Sequence, residues 1–285
     1  MKKVATMQDI SCVGKCSLTV ALPILSNMSI ETAVLPTAVL STHTAFKGFT
    51  FCDLTNEIQP ILEHWKKENF KFDALYTGYL GSIKQIELAK VFFHLFGENI
   101  PKIVDPCVGD HGKLYTGFDI NFVEEMKKLC SFADIICPNI TEACYLLDIP
   151  VLTSYTEEDI KEITKKLTEL GCKKAVITGI SFDEKEYGIY AYNKETDNYA
   201  YYFLDKLPVA YHGTGDIWAS TLTGAIALGR RFENAIEIAT DFTHECMEET
   251  LKDTERDSYG VEFEKALPYL EARLAYRELA FFIHQ

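Results

Sequence analysis

The chain has 285 residues, of which 47% are hydrophobic and 25% are charged. These ordinary globular proportions exclude a disordered, collagen-like or coiled-coil chain, and the length is sufficient to bury a large core. There are 42 acidic and 28 basic residues, which leaves a net charge of −14. Such a charge repels phosphate backbones and argues against nucleic acid as a partner.

Short apolar runs alternate with longer amphipathic runs, which predicts strands that alternate with helices. In chain order, the predicted strands cover residues 4–7, 32–36, 74–79, 102–104, 134–137, 175–178, 187–192 and 199–204. The predicted helices cover residues 17–28, 53–69, 119–132 and 156–171, a run that begins at 82, and the chain from 215 to its end. The last two strands are rich in tyrosine and are typical of a hairpin.

This alternation predicts an α/β fold in which helices cover a mostly parallel sheet. No linker, repeat or low-complexity tract interrupts residues 1–285, so we expect a single domain. No apolar run approaches the ~18 residues of a membrane-spanning helix, so no membrane partner is expected. The first residues lack the hydrophobic segment of a signal peptide, so no signal peptide is expected. The nine dispersed cysteines favour reduced thiols in the cytoplasm.

Ligands of parallel sheets bind beyond the carboxyl ends of the strands. The loops predicted to carry the chemistry are therefore residues 8–15, 41–48, 77–82, 105–112, 138–142 and 178–179. One further segment, Gly213-Thr214-Gly215-Asp216, precedes a long helix of small residues. Glycines at a helix start leave N–H groups free to bind an anion. A carboxylate there suits a base that deprotonates a hydroxyl during phosphoryl transfer, although Asp216 also suits an ordinary first helical turn.

Polar side chains follow two neighbouring predicted strands. Asp105-Pro106 opens the loop that contains Gly109-Asp110, and Pro138-Asn139 precedes Glu142. Carboxylates and an amide at strand ends suit a hydrated Mg²⁺, which keeps several waters and needs few protein ligands. Turn and cap chemistry is the alternative interpretation of the same residues. The chain contains no P-loop pattern and no protein-kinase signature set.

Taken in order, these motifs resemble the ribokinase superfamily and, within it, the pyridoxal kinase family. Gly213-Thr214-Gly215-Asp216 resembles the catalytic signature of the superfamily. The narrower resemblance rests on Gln8 and Gly14 in the first loop, on Ser41-Thr42-His43-Thr44, which is similar to the family's S-N-H-T, and on Thr77-Gly78-Tyr79-Leu80-Gly81, which is similar to its S-G-Y-L-G. It covers nearly the whole chain and implies a single ribokinase-like three-layer domain.

The resemblance implies ATP-dependent phosphorylation of the 5′-hydroxymethyl group of pyridoxal, pyridoxamine or pyridoxine by a homodimer. It implies Mg²⁺ as the metal and leaves a monovalent cation such as K⁺ open. Asp216 would be the base, and the anion hole would comprise Gly213, Thr214 and Gly215. ATP would contact Asp105, Asn139, Glu142, Thr178, Gly179, Gly213 and Gly215, and the metal would lie at Asp105 and Glu142. The vitamer pocket would comprise Asp9, Ser11, His43, Thr44 and Tyr79.

Asp9 is the main departure, because the family usually has a serine that bonds the pyridine ring at this position. A carboxylate would pair with a protonated ring nitrogen or a ligand amine, so we expect pyridoxamine to be used at least as well as pyridoxal. Two other functions stay open, a hydroxymethylpyrimidine kinase of thiamine synthesis and a non-catalytic B6-binding protein. The first would normally have a glycine-rich first loop, which residues 11–16 lack, and the second needs no base at Asp216.

Overall fold

The computed structural model describes residues 1–209, 211–255, 257 and 259–283, with side chains as far as residue 275. The strands are β1 (Lys3–Ser11), β2 (Glu31–Leu40), β3 (Phe51–Asp53), β4 (Ala74–Thr77), β5 (Lys102–Val104), β6 (Gly109–Asp110), β7 (Lys113–Leu114), β8 (Ile135–Ile136), β9 (Lys174–Ile180), β10 (Glu186–Asn193) and β11 (Asn198–Asp205). The helices are α1 (Leu18–Asn27), α2 (Thr55–Lys67), α3 (Ile83–Phe96), α4 (Ile120–Cys130), α5 (Ile140–Leu146), α6 (Glu157–Leu167), α7 (Thr214–Ala227), α8 (Phe232–Lys252) and α9 (Leu267–Ile283).

Nine of these strands form one sheet in the order β11-β10-β9-β8-β5-β4-β1-β2-β3. The strands from β9 to β2 in this order are parallel, whereas β3 at one edge and the β10–β11 hairpin at the other are antiparallel. The predicted α/β class and the mostly parallel sheet are therefore confirmed. Because the central strands all point the same way, the loops after them meet at one edge of the sheet.

Helices cover both faces of the sheet and bury a separate apolar core on each. One core contains side chains of α1, α7, α8 and α9, and the other contains side chains of α2 to α6. Strand residues alternate between the two, so Val4 joins the first core whereas Ala5 and Met7 join the second. This three-layer arrangement is the ribokinase-like architecture that the resemblance implies.

Three of the six predicted helix starts are confirmed by side-chain caps. The side chains of Ser82, Asp119 and Thr156 accept hydrogen bonds from backbone N–H groups in the first turns of α3, α4 and α6. Asp53 is an exception, because it ends the short strand β3 and accepts a hydrogen bond from Thr55 N at 2.9 Å, while Leu54 occupies the cap position.

Several features differ from the predicted elements, among them β3 and α5, neither of which was predicted. The helical run expected from residue 215 onwards is interrupted between Ala227 and Phe232 and again between Lys252 and Phe263. The small hairpin of β6 and β7 was predicted only as a loop, since two-residue strands are too short to show a period. Gly109 in this hairpin lies against the other strand, where an added β-carbon would lie 2.3 Å from the carbonyl oxygen of Lys113.

Candidate active site

The first loop of the cleft joins β1 to α1 and has an unusual backbone. Gly14, Lys15 and Ser17 all have positive φ angles, of 140°, 51° and 52°. Non-glycine residues are uncommon in this region and such strain clusters at functional sites. A β-carbon on Gly14 would lie 2.3 Å from the ring of His43, so the glycine permits close packing of the first loop on the loop after β2.

The start of α7 forms a second part of the cleft. Gly213 is the cap residue, has a left-handed φ of 85° and provides no side-chain cap for the first turn. A β-carbon on Gly213 would lie 2.3 Å from the carbonyl oxygen of Lys15, whereas one on Gly215 would have no atom within 4 Å. The first turn of α7 therefore presents uncapped N–H groups and the positive end of the helix dipole to open space, which suits an anion.

Asp216 lies in this first turn and is half-buried. Burial raises the pKa of the Asp216 carboxyl to about 7, and the charges of Asp105 and Asp9 add to the rise, while a hydrogen bond from the backbone N–H of Ser17 opposes it. A group with this pKa can accept a proton near neutral pH, which is the property that a general base requires. The structure therefore places a suitable base beside the uncapped helix start.

Asp105 follows β5 and is buried, with 8% of its surface exposed. Burial raises the pKa of this carboxyl to about 6, and hydrogen bonds from Cys107 oppose the rise. The next residue but one, Cys107, has a positive φ of 43°. The charge of Asp105 contributes to the raised pKa of Asp216, so the two carboxyls lie within electrostatic range of each other at the strand ends.

Asn139 and Glu142 form a capping box at the start of α5. Glu142 also reaches the neighbouring loop, because its Oε1 accepts a hydrogen bond from Val108 N at 3.0 Å and its Oε2 accepts one from Asn139 N at 2.9 Å. Asn139 Nδ2 donates to the carbonyl oxygen of Gly109 at 2.9 Å. Burial and the charge of Asp105 raise the pKa of Glu142, and backbone N–H groups oppose the rise. The cap role is thus observed, and it joins two loops of the cleft.

Thr178 and Gly179 lie at the same edge, near the end of β9. Thr178 N donates to the carbonyl oxygen of Pro138 at 3.0 Å, and a β-bridge joins Thr178 to Asn139. Gly179 is exposed, with a φ of 69° and no atom within 4 Å of an added β-carbon. The predicted ATP-binding residues after β5, β8 and β9 are therefore adjacent.

The residues predicted for the vitamer pocket come from the end of β1 and from the loops after β2 and β4; Asp9 and Ser11, predicted in a loop, belong to β1 because its pairing with β2 continues to Ser11. Asp9 and Ser11 are buried, and Ser11 Oγ donates to Asp9 Oδ2 at 2.9 Å. Burial and the charge of Asp9 raise the pKa of Tyr79 to about 12, so these two side chains are neighbours. Asp9 also affects the pKa of His43. Thr44, by contrast, is exposed.

His43 uses both ring nitrogens within the protein. Its Nδ1 accepts a hydrogen bond from Ala45 N at 3.2 Å, so the proton of the neutral ring is on Nε2, which donates to the carbonyl oxygen of Tyr259 at 3.1 Å. Burial lowers the pKa of His43 below its usual value. The ring therefore offers an apolar face, next to Phe46 and His212, rather than a charge.

Three residues of the cleft were missed in the sequence. Phe118 stacks on Tyr79 with ring centroids 5.7 Å apart, and nothing in its local sequence distinguishes it from a core residue. Although 41% of Tyr115 is exposed, partial burial of its hydroxyl and the charges of Glu142, Cys107, Asp110 and Asp105 raise its pKa above its usual range. Burial and the charges of Asp216 and Asp9 raise the pKa of the Cys16 thiol to about 12.

A three-layer fold with an uncapped, glycine-flanked helix start beside a carboxylate is typical of a ribokinase-like small-molecule kinase. A family model described as phosphomethylpyrimidine kinase matches residues 53–259. The chain belongs to this family, the group of ribokinase-like kinases in which pyridoxal kinases are found.

Three relatives show how close this relationship is. A Bacteroides thetaiotaomicron protein, assigned as a phosphomethylpyrimidine kinase and crystallised with pyridoxal, is 41% identical with a TM-score of 0.90 over 95% of this chain and 96% of that one. Pyridoxal kinase from Lactobacillus plantarum is 30% identical with a TM-score of 0.88 over 98% of both chains. Pyridoxal kinase of Arabidopsis thaliana is 26% identical over 234 residues, which are 77% of this chain and 72% of the relative.

Proposed function

We propose that this kinase transfers the γ-phosphoryl group of ATP to the 5′-hydroxymethyl group of pyridoxal, pyridoxamine or pyridoxine. The observation that carries the proposal is Asp216, a half-buried carboxylate of pKa about 7 at the uncapped start of α7. It would accept the hydroxyl proton while the N–H groups of residues 213–215 stabilise the transferred phosphoryl group. The relative crystallised with pyridoxal supports a B6 vitamer as the acceptor.

The proposal is tested by measuring ADP production with each of the three vitamers and with hydroxymethylpyrimidine. The family description favours hydroxymethylpyrimidine kinase as the second candidate. We expect a kcat/KM for at least one B6 vitamer that exceeds the value for hydroxymethylpyrimidine. A reversed order would assign the chain to thiamine synthesis, and vitamer binding without ADP production would leave a non-catalytic B6-binding protein.

The pH dependence of this reaction follows from the pKa of Asp216. Because a general base must be deprotonated, we expect kcat/KM to fall as the pH drops below about 7 and to level off above it. The check is a pH profile of kcat/KM with the preferred vitamer, for the unmodified enzyme and for Asp216→Asn. The residual rate of the variant should lack the inflection. An inflection that persists in the variant would assign it to another group.

We further propose Mg²⁺ with the nucleotide. Among the residues that the structure describes, no group of three or more His, Cys, Asp or Glu side chains could hold a metal. A hydrated Mg²⁺ fits better, because it keeps several waters and takes further oxygens from the phosphates. Asp105 would hold it directly, and Glu142 and Asn139, whose polar atoms are already hydrogen-bonded, would act through water. When bound, the ion would neutralise charge on the phosphates.

The requirement for a monovalent cation is a separate question. Measuring ADP production in the presence and absence of K⁺ tests it.

Glu142→Gln should raise the Mg²⁺ concentration needed for half-maximal rate, because one carboxylate near the metal is neutralised. It should also cost about 1–3 kcal/mol of stability. The two carboxylate oxygens accept hydrogen bonds from Val108 N and Asn139 N, whereas a glutamine side chain has one acceptor oxygen and leaves one of these N–H groups without its partner. Mg²⁺ titrations and thermal denaturation measure the two effects. Asp159→Asn, in the exposed capping box of α6, is the matched control and should leave the Mg²⁺ requirement unchanged. A destabilised Glu142→Gln with an unchanged titration would limit Glu142 to capping.

We also propose a cytoplasmic homodimer, on the strength of the family resemblance. All nine cysteines are free, which supports a reducing compartment. None of the helices in the described residues is long and apolar enough to cross a membrane. Sedimentation of the purified chain measures the assembly state, and fractionation of cells measures the location.

A further inference from the structure

Asp9 is a buried carboxylate that the mechanism above does not use. Only 3% of its surface is exposed. Ser11 Oγ donates a hydrogen bond to its Oδ2 at 2.9 Å, but no lysine or arginine in the described part of the chain forms a salt bridge with it. Buried carboxylates normally pair with a cation, because an unpaired buried charge costs free energy. The described residues therefore leave Asp9 without a lysine or arginine partner, and the nearby His43 is the basic side chain that acts on it.

An irregularity in the sheet occurs at this residue. Gln8 of β1 pairs with Pro36 of β2, but Ile10 pairs with Val39, so the register slips by one residue across Asp9. Such irregularities next to active sites re-aim side chains. The slip lies at the carboxyl end of β1, where the first loop enters the cleft.

The neighbours of Asp9 show which way its charge acts. It raises the pKa of Tyr79, of Cys16 and of Asp216. These groups surround the cleft, so Asp9 does not face bulk solvent. Of the five residues predicted for the vitamer pocket, Asp9 is the one that can carry a negative charge. The pKa of His43 is lowered, which favours its neutral form, and Ser11, Thr44 and Tyr79 are uncharged.

We propose that Asp9 is a specificity-determining residue that binds a protonated nitrogen of the vitamer through a charge-assisted hydrogen bond. The inference rests on the proposed function, because it takes a B6 vitamer as the acceptor. Two nitrogens have this chemistry, the ring nitrogen of any vitamer and the ammonium of pyridoxamine. A 3-hydroxypyridine can shift its phenolic proton to the ring nitrogen, and a carboxylate beside that nitrogen stabilises the pyridinium form.

The test compares the affinities of three ligands by calorimetry without ATP: pyridoxine, pyridoxamine and the analogue of pyridoxine in which CH replaces the ring nitrogen. The proteins are the unmodified enzyme, Asp9→Ser and Asp9→Asn. We expect the unmodified enzyme to prefer a ligand with the recognised nitrogen over one without it by about tenfold to a hundredfold. This preference should shrink severalfold in both variants, because serine and asparagine can still hydrogen-bond the nitrogen but carry no charge.

The ligands distinguish the two nitrogens. If the ring nitrogen is bound, pyridoxine and pyridoxamine lose affinity together in the variants, and the CH analogue is unaffected. If the ammonium is bound, pyridoxamine alone loses affinity, and in Asp9→Ser the ratio of kcat/KM values shifts from pyridoxamine toward pyridoxal. Ligand ratios that are the same in all three proteins would overturn the assignment of Asp9.

A measurement on the unmodified enzyme protects the test against variants that fail to fold. The ultraviolet spectrum of bound pyridoxine reports whether its ring nitrogen is protonated. A neutral bound ring, together with pyridoxamine bound no more tightly than pyridoxine, overturns the proposal without any variant. If the unmodified enzyme phosphorylates no vitamer, the proposed function itself fails, whereas turnover with unchanged ligand ratios removes only Asp9 from recognition.

Discussion

Asp216→Asn should reduce kcat by roughly 10²–10⁴-fold while the affinities for vitamer and ATP stay close to those of the unmodified enzyme. Asparagine has nearly the same shape, but it cannot accept the proton of the substrate hydroxyl. The loss should therefore fall on the chemical step. Single-turnover rates and equilibrium binding of each substrate measure the two quantities. A variant that keeps more than about a tenth of the kcat would contradict the base assignment.

The same variant should be more stable than the unmodified enzyme at pH 8, which separates a catalytic loss from misfolding. The folded-state pKa of about 7 lies above the ordinary value of 3.8. The folded protein then binds the proton more tightly than the unfolded chain, so the stability falls as the pH rises from about 4 to 7. Asparagine does not titrate and avoids this cost. The difference in melting temperature between the two proteins should shrink toward pH 4.

Gly213→Ala should lower kcat by about 10²-fold or more, because the N–H groups at the start of α7 would be displaced from the phosphoryl group. Two constraints act on this residue. Its φ of 85° is unfavourable for alanine, and the new β-carbon would lie 2.3 Å from the carbonyl oxygen of Lys15. The β-carbon is attached directly to the backbone of residue 213, and the oxygen belongs to the backbone of Lys15, so neither can rotate away. Either the first loop or the start of α7 has to move.

Gly229→Ala is the matched control for this variant. Gly229 has a similar φ of 80° beyond the end of α7, and its added β-carbon would have no atom within 4 Å. Both variants should lose about 1–2 kcal/mol of stability from the left-handed backbone. Only Gly213→Ala should lose activity. Equal kcat values in the two variants would show that the position of Gly213 does not matter for phosphoryl transfer.

The sequence predicted those parts of the fold that repeat or that depend on local chemistry. The caps at Ser82, Asp119 and Thr156 are confirmed because a side chain that accepts from its own helix needs no distant partner. The β10–β11 hairpin is confirmed because its turn and its aromatic strands are contiguous. In contrast, β3 has three residues, all of them exposed, and no local sequence pattern predicts its pairing with β2.

The candidate site was predictable as a set of loops but not as a set of contacts. The sequence placed Asp9 in the first loop, but the register slip that accompanies its burial depends on β2, about thirty residues further on. Likewise, Glu142 was recognisable as a strand-end carboxylate, whereas its bond to Val108 N joins two different loops. The acceptor for His43 Nε2 is the carbonyl oxygen of Tyr259, which is far away in the chain. Such partners are set by the tertiary structure.

The acidity of the cleft has a second consequence, for its sulfur chemistry. Burial, together with the charges of Asp216 and Asp9, raises the pKa of the Cys16 thiol to about 12, so the thiol is protonated at neutral pH. Oxidants and alkylating agents attack the thiolate and react slowly with the thiol. Burial and the two carboxylates thus lower the reactivity of Cys16, in the loop between β1 and α1, toward oxidants and alkylating agents.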